Sequence, residues 1–247
     1  MRLYKQIAPW VDDTVIASFY YADSRFEAKT VSVAADRYIV QTPDFLCADV
    51  DGVKIERNAS VDLDLSLAAT WDTTTGTDYT VAASRAGKDF YIYLVQASPY
   101  YVVSANATYP TNYTADNSRK IAGFHCLCNS VGTISGHDLT GYLTGDILPA
   151  SVWDYNWRSA SGSNVGLVYD SKLRKWVAIY FTSGTVNAPT IVNGGTILDN
   201  ITWFQACDAG KALKMKLPKD YEFQVFAAGS PEAVKIYGSV DPVTTGG

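Results

Sequence analysis

Histidine, charge and long apolar runs are what this sequence has least of. Its 247 residues include 2 histidines and 4 cysteines, and charged residues make up 18%, against about a quarter in an average soluble domain. The formal net charge is −5 and the isoelectric point about 5.0. An acidic balance offers no cationic face for phosphate backbones or anionic lipid, so neither nucleic acid nor a membrane surface is expected as a partner. No apolar run approaches the roughly 18 residues of a membrane-spanning helix, so no membrane insertion is expected. The opening stretch MRLYKQIAPWVDDTV lacks the apolar core of a secretory leader. The chain is therefore expected to fold in a cytoplasm, where the sequons at Asn58, Asn106, Asn112 and Asn200 go unglycosylated.

The scarcity of histidine and cysteine also narrows the chemistry. In a reducing compartment Cys47, Cys126, Cys128 and Cys207 are expected to be free rather than bridged. Cys126 and Cys128 sit two apart on an expected strand and should share a face, with adjacent His125 on the other. No second CxxC and no HxxxH completes a ligand set, so no metal or cofactor is expected. His137 stands in a Gly/Ser/Thr-rich stretch with no GxSxG nearby and reads as a turn residue. Asp62 and Asp64 share the polar side of the alternating run VDLDLSL, where carboxylates are ordinarily just solvated. No catalytic residue is assigned.

What the sequence does have is aromatic and β-branched residues in short bursts separated by turns. A chain of this length suits one large or two modest domains. Residues 1–36 read as an N-terminal arm or assembly segment, with strand-like stretches at Val15–Tyr21 and Lys29–Val33. Residues 37–128 read as a β-sandwich domain. Its strands are short, the Asp51-Gly52 pair marks a tight turn, FYIYLV at Phe90–Val95 is a central strand, and turns recur at sandwich spacing. Tyr79–Ala83 is expected to be one of its strands. Residues 129–144 read as a linker.

Gly145–Arg158 (GDILPASVWDYNWR) marks the seam to a second domain, residues 145–247, with Trp153 and Trp157 as core aromatics. Strands are expected at Gly166–Asp170 and Trp176–Phe181. Two helices should follow: one capped by Asp199 or Asn200 and closed at Gly210, and one over Lys219–Ala228. Residues 230–247 have loop character, so the second domain is expected to be incomplete at its C-terminus.

Four ordered blocks resemble the phage major tropism determinant family of tail-fibre receptor-binding proteins. They are GTDY at Gly76–Tyr79 with Tyr91–Tyr93; PTNYTADNSRKIAGFH at Pro110–His125; Trp153, Asp154 and Arg158 with Gly166 and Trp176–Phe181; and Gly210-Lys211, Leu217-Pro218 and Tyr221-Glu222-Phe223. The last block is also similar to the wider C-type-lectin-like group that includes formylglycine-generating enzymes. The resemblance implies a mainly β fold with some α: an N-terminal β-sandwich followed by an incomplete C-type-lectin-like α+β domain. It implies a homotrimer, assembled in the host cytoplasm with other virion proteins and located in the virion. It further implies contact with a bacterial surface receptor, protein or glycan, through a variable patch past Gly247 that a diversity-generating retroelement can rewrite. No receptor-contacting residue is carried over to this chain.

Within that frame Trp153 and Trp203 are expected in the core of the second domain. Glu222 is expected to be a buried structural acid bonding backbone amides or Arg158. The competing readings are a non-adhesive virion part (head fibre, decoration protein or fibre adaptor) and a formylglycine-generating-type oxygenase. The oxygenase needs a late pair of cysteines, and Cys207 stands alone there.

Overall fold

The computed structural model describes residues 20–133, 138–161 and 163–226. The start of the expected first strand, His137 and the stretch after Phe226 lie outside the described residues. In chain order the elements are β1 (Tyr20–Ala22), β2 (Glu27–Ala28), β3 (Ile39–Gln41), β4 (Leu46–Val50), β5 (Val53–Arg57), β6 (Asp62–Asp64), the single turn α1 (Ala82–Arg85), β7 (Asp89–Val95), β8 (Tyr101–Ser104) and β9 (Ser118–His125). They continue with β10 (Trp153–Asp154), β11 (Leu167–Asp170), β12 (Lys175–Ala178), β13 (Ser183–Thr185), β14 (Ala188–Thr190), α2 (Trp203–Ala212) and α3 (Asp220–Phe226). The fold is mainly β with some α, as the sequence predicts, and its sheets are open.

Three antiparallel sheets, β1-β4-β5, β2-β3-β6 and β10-β9-β7-β8, bury their apolar faces in one common core. Turn chemistry sets the registers. Asp51 and Gly52 both take positive φ, 53° and 73°, and close β4 onto β5 so that Val50 faces Val53. That is the geometry a two-residue hairpin loop requires, and it matches the twist of the flanking strands. Asp49 accepts the Gly52 N–H at 3.0 Å and holds the turn from one side.

Alternation along β7 divides the central sheet. Phe90, Ile92 and Leu94 point into the common core, while Asp89, Tyr91 and Tyr93 occupy the opposite face. The pairing with β9 slips between Ile92 and Tyr93, which face Ala122 and Lys120. The extra residue, Ile121, lets two neighbours, Ile121 and Ala122, both enter the core.

A second apolar cluster lies on the far side of β9. It gathers Leu127, Cys128, Val131, Leu139, Tyr142, Leu148, Leu167, Ile179, Tyr180 and Ile191. Phe124 and Cys126 face the first core and Leu127 the second, so the end of β9 is a wall between them. Cys126 and Cys128 do not share a face as expected. The strand ends at His125, strict alternation lapses there, and Cys128 joins the second core.

Two other expectations are corrected. Tyr79–Ala83 is not a strand: the chain turns there and forms α1, because Arg85 is drawn inward. Its guanidinium is 2% exposed and donates to the carbonyls of Gly145, Leu65, Tyr79 and Thr80. The later helix α2 is capped by Thr202, not by Asp199 or Asn200, and runs through Gly210 to Ala212. Thr202 and Gln205 form a capping box, Gln205 N–H to Thr202 Oγ1 at 3.3 Å and Thr202 N–H to Gln205 Oε1 at 2.8 Å.

Candidate functional site

The stretch Gly145–Arg158 runs back along the first unit before it leaves it. Ile147 and Val152 lie in the first core, and Trp153 pairs with Gly123 and Asp154 with Ala122 as β10 joins the edge of β9. A Cβ at Gly123 would lie 2.7 Å from both the Phe90 carbonyl and the Trp153 ring, so only glycine leaves room for the indole there. The indole meets Tyr91 edge-on at 6.5 Å. Trp153 is thus half-buried on the outer face of the first unit's sheet, not in the core of the second unit. Strand pairing with β9 overrode the sequence-based assignment.

Asp154, next to it, was missed as a structural residue and is fully buried. Its carboxylate accepts the backbone N–H groups of Phe26 (3.0 Å), Asn156 (2.8 Å) and Trp157 (2.9 Å). Burial pushes its carboxyl above the usual range against the pull of those donors. The bond to Phe26 ties the N-terminal segment to a residue 128 positions away. Arg158 is exposed and stacks its guanidinium 4.7 Å over the Tyr155 ring.

Glu222 is buried on α3, and its carboxylate accepts the Lys219 N–H at 2.8 Å and the Tyr221 hydroxyl at 3.3 Å. Its charged partner is the Lys175 ammonium at the start of β12, not Arg158. The Lys175 contact, then the Lys219 N–H, hold its carboxyl down to about 2. The pair staples α3 to the β11-β12 ribbon. No spacing in the sequence could have paired residues 47 positions apart.

Trp203 is 68% exposed and its neighbour Phe204 is 74% exposed. The two rings stack edge to face at 5.4 Å. The assignment of Trp203 to a core is therefore corrected. The buried residue of α2 is Ala209, which puts the helix's first turn on the outside. Leu217, Tyr221 and Phe223 are exposed as well, so α2, α3 and the segment between them present aromatic and aliphatic surface. Such a surface offers apolar contact area.

The remaining sequence-flagged groups are structural. Asp62 pairs with Lys29 at 2.8 Å, and Asp64 caps the turn at Ser66. None of the four cysteines is bridged in a disulfide, and burial pushes the Cys47 and Cys126 thiols up. Among the described residues no group of three or more His, Cys, Asp and Glu side chains could hold a metal ion. No helix of the described residues is long and apolar enough to cross a membrane.

Comparison with known proteins agrees with this geometry. The family model for the Mtd second domain matches residues 46–154, from the first residue of β4 to the last of β10. The tail fiber receptor-binding protein of Bordetella phage BPP-1 is 27% identical over 194 residues, which are 70% of this chain and 49% of that protein. Among solved structures, the Major Tropism Determinant M1 variant superposes with a TM-score of 0.65 at 20% identity, over 92% of this chain and 59% of that one. The P3c variant gives 0.65 at 20% identity, over 92% and 60%. The chain spans about half the length of the curated relative it matches. A matched second domain, a similar curated tail-fiber protein and a fold shared over most of its length make this chain similar to the major tropism determinants.

Proposed function

We propose that this chain works in host attachment, as a receptor-binding protein of a phage tail fibre. The observation that carries the reading is the coincidence of the Mtd second-domain match at residues 46–154 with a fold shared over 92% of the chain. On this reading the unit after residue 145 is C-type-lectin-like and displays a variable surface to a bacterial receptor, protein or glycan. The protein is a homotrimer in the virion, assembled with other virion proteins in the host cytoplasm, and a diversity-generating retroelement rewrites the displayed surface. It is a binding protein and not an enzyme. The exposed aromatics of α2 and α3 support a role in contact rather than catalysis.

The test is adsorption. Labelled protein made from the whole parent gene and incubated with candidate host cells should bind a susceptible strain, block adsorption of the parent phage and have the solution mass of three copies. A trimer that incorporates into virions but never binds cells or competes with phage would make it a non-adhesive virion part instead.

A further inference from the structure

Two apolar cores meet along β9, and a chain of polar side chains crosses between them. His125, the last residue of β9, is 1% exposed, and its Nε2 lies 2.7 Å from the hydroxyl of Tyr180, itself buried in the second core. Its Nδ1 lies 3.3 Å from Asp89 Oδ1 across the β7–β9 pair, where Asp89 faces His125 in register. The same Asp89 oxygen accepts the Gly166 N–H at 3.0 Å, and Gly166 accepts the Ile179 N–H at 2.8 Å, next to Tyr180. Two points of the second unit, Gly166 and Tyr180, thus converge on two adjacent residues of the first unit's sheet. Gly166 takes a φ of +62°, and a Cβ there would lie 2.5 Å from the Ile191 carbonyl, so glycine alone brings that N–H to Asp89.

The ring has little freedom. The His125 backbone N–H is accepted by Ser151 Oγ at 2.8 Å, and its carbonyl accepts the Leu148 N–H at 2.9 Å. Nδ1 makes no well-angled hydrogen bond, and among the described residues its ion-pair contact is with the Asp89 carboxylate. In a neutral imidazole only one nitrogen carries a proton. A proton on Nε2 would leave the Nδ1 lone pair against a carboxylate in a buried site. A proton on Nδ1 lies beside that carboxylate, 3.3 Å from nitrogen to oxygen, and leaves Nε2 to accept the Tyr180 hydroxyl.

We propose that Asp89, His125 and Tyr180 form a polar pin, held by an Nδ1-protonated His125, that fixes how the second core seats on the first. Tyr180 donates to His125, His125 sets its Nδ1 beside Asp89, and Asp89 also receives Gly166. The apolar contact area between the cores is non-directional and tolerates sliding. The pin supplies the direction. This inference stands apart from the attachment reading, because it concerns only how the two units are joined.

Nitrogen-15 NMR of the labelled full chain reads the tautomer directly. The expected result is protonated Nδ1 on His125, and a neutral Nε2–H ring would overturn the proposal. Tyr180→Phe should then shift the His125 ring nitrogens by freeing Nε2, whereas a Tyr180 that merely fills space would leave them unmoved. Asp89→Asn and Tyr180→Phe should each lower the thermal midpoint by about 2–6 °C. Their double variant should lose clearly less than the sum, because both act through one ring. Strict additivity of two folded variants would also overturn the pin, and should either variant fail to fold, the tautomer in the unaltered protein decides alone.

Discussion

The two units of this protein are built to different degrees of closure. From β1 to β10, three sheets face one core, and the large apolar side chains left outside are mostly isolated aliphatics such as Val53, Val61 and Val81. From residue 155 on, two short ribbons and two helices leave Phe181, Trp203, Phe204, Tyr221 and Phe223 more than half or about half exposed. α2 buries Ala209, and α3 buries Glu222, a charged residue. The first unit is held by apolar area, whereas the second adds to its smaller core a set of named polar contacts: Glu222 to Lys175, Gly166 to Asp89, Tyr180 to His125. Large exposed apolar surface in a folded protein usually marks a place of contact, and here it is concentrated in the second unit.

The sharpest way to break this contrast is at Arg85. Arg85→Met removes the guanidinium's hydrogen bonds to four carbonyls and should cost about 3–5 kcal/mol, measured by chemical denaturation, since it strips a buried network of its charged partner. A loss near zero would mean the first unit's closure does not depend on this hub. Next comes Gly123→Ala, which drives a methyl against the Phe90 carbonyl and the Trp153 ring and should cost roughly 1–3 kcal/mol. An unchanged midpoint would show that β10 peels away freely.

The second unit should answer to acid instead. Glu222 has a folded pKa lowered from 4.5 to about 2, so its stabilising effect is fully present above about pH 4.5 and is lost as pH falls toward 2. Near-neutral stability of Glu222→Gln should be lower than that of the parent, with the gap closing across that window in acid titrations followed by tryptophan fluorescence. A gap that persists at pH 2 would deny the Lys175 pair its role. The smallest effect belongs to Trp203→Ala, which should change stability by less than about 0.5 kcal/mol because the ring is mostly in water. A loss of several kcal/mol would show the ring is covered in the working protein.

Much of the first unit is readable from the chain alone. The Asp51-Gly52 turn, the alternation of Val53–Arg57 and the apolar run Phe90–Val95 each state a local preference that the fold keeps. The buried acid at Glu222 is also legible, since a carboxylate between Tyr221 and Phe223 on a short helix needs a partner. Its partner is not, because Lys175 lies on a different element and looks like any other turn lysine. Trp153 and Trp203 show the limit from the other side. Both are large aromatics that composition assigns to a core, yet one lies on a glycine at a sheet edge and the other faces outward.

By itself the sequence determined what local chemistry determines: turn positions, strand periodicity, the absence of a metal-ligand pattern, and the ordered blocks that carry the family resemblance. Only the tertiary structure decided which side of β9 each residue serves, that Arg85 turns inward to bend an expected strand into α1, and that Asp154 reaches back to Phe26. The physical reason is range. Backbone preference and side-chain alternation act between neighbours, whereas burial and charge pairing are settled by elements that meet only once the chain has folded.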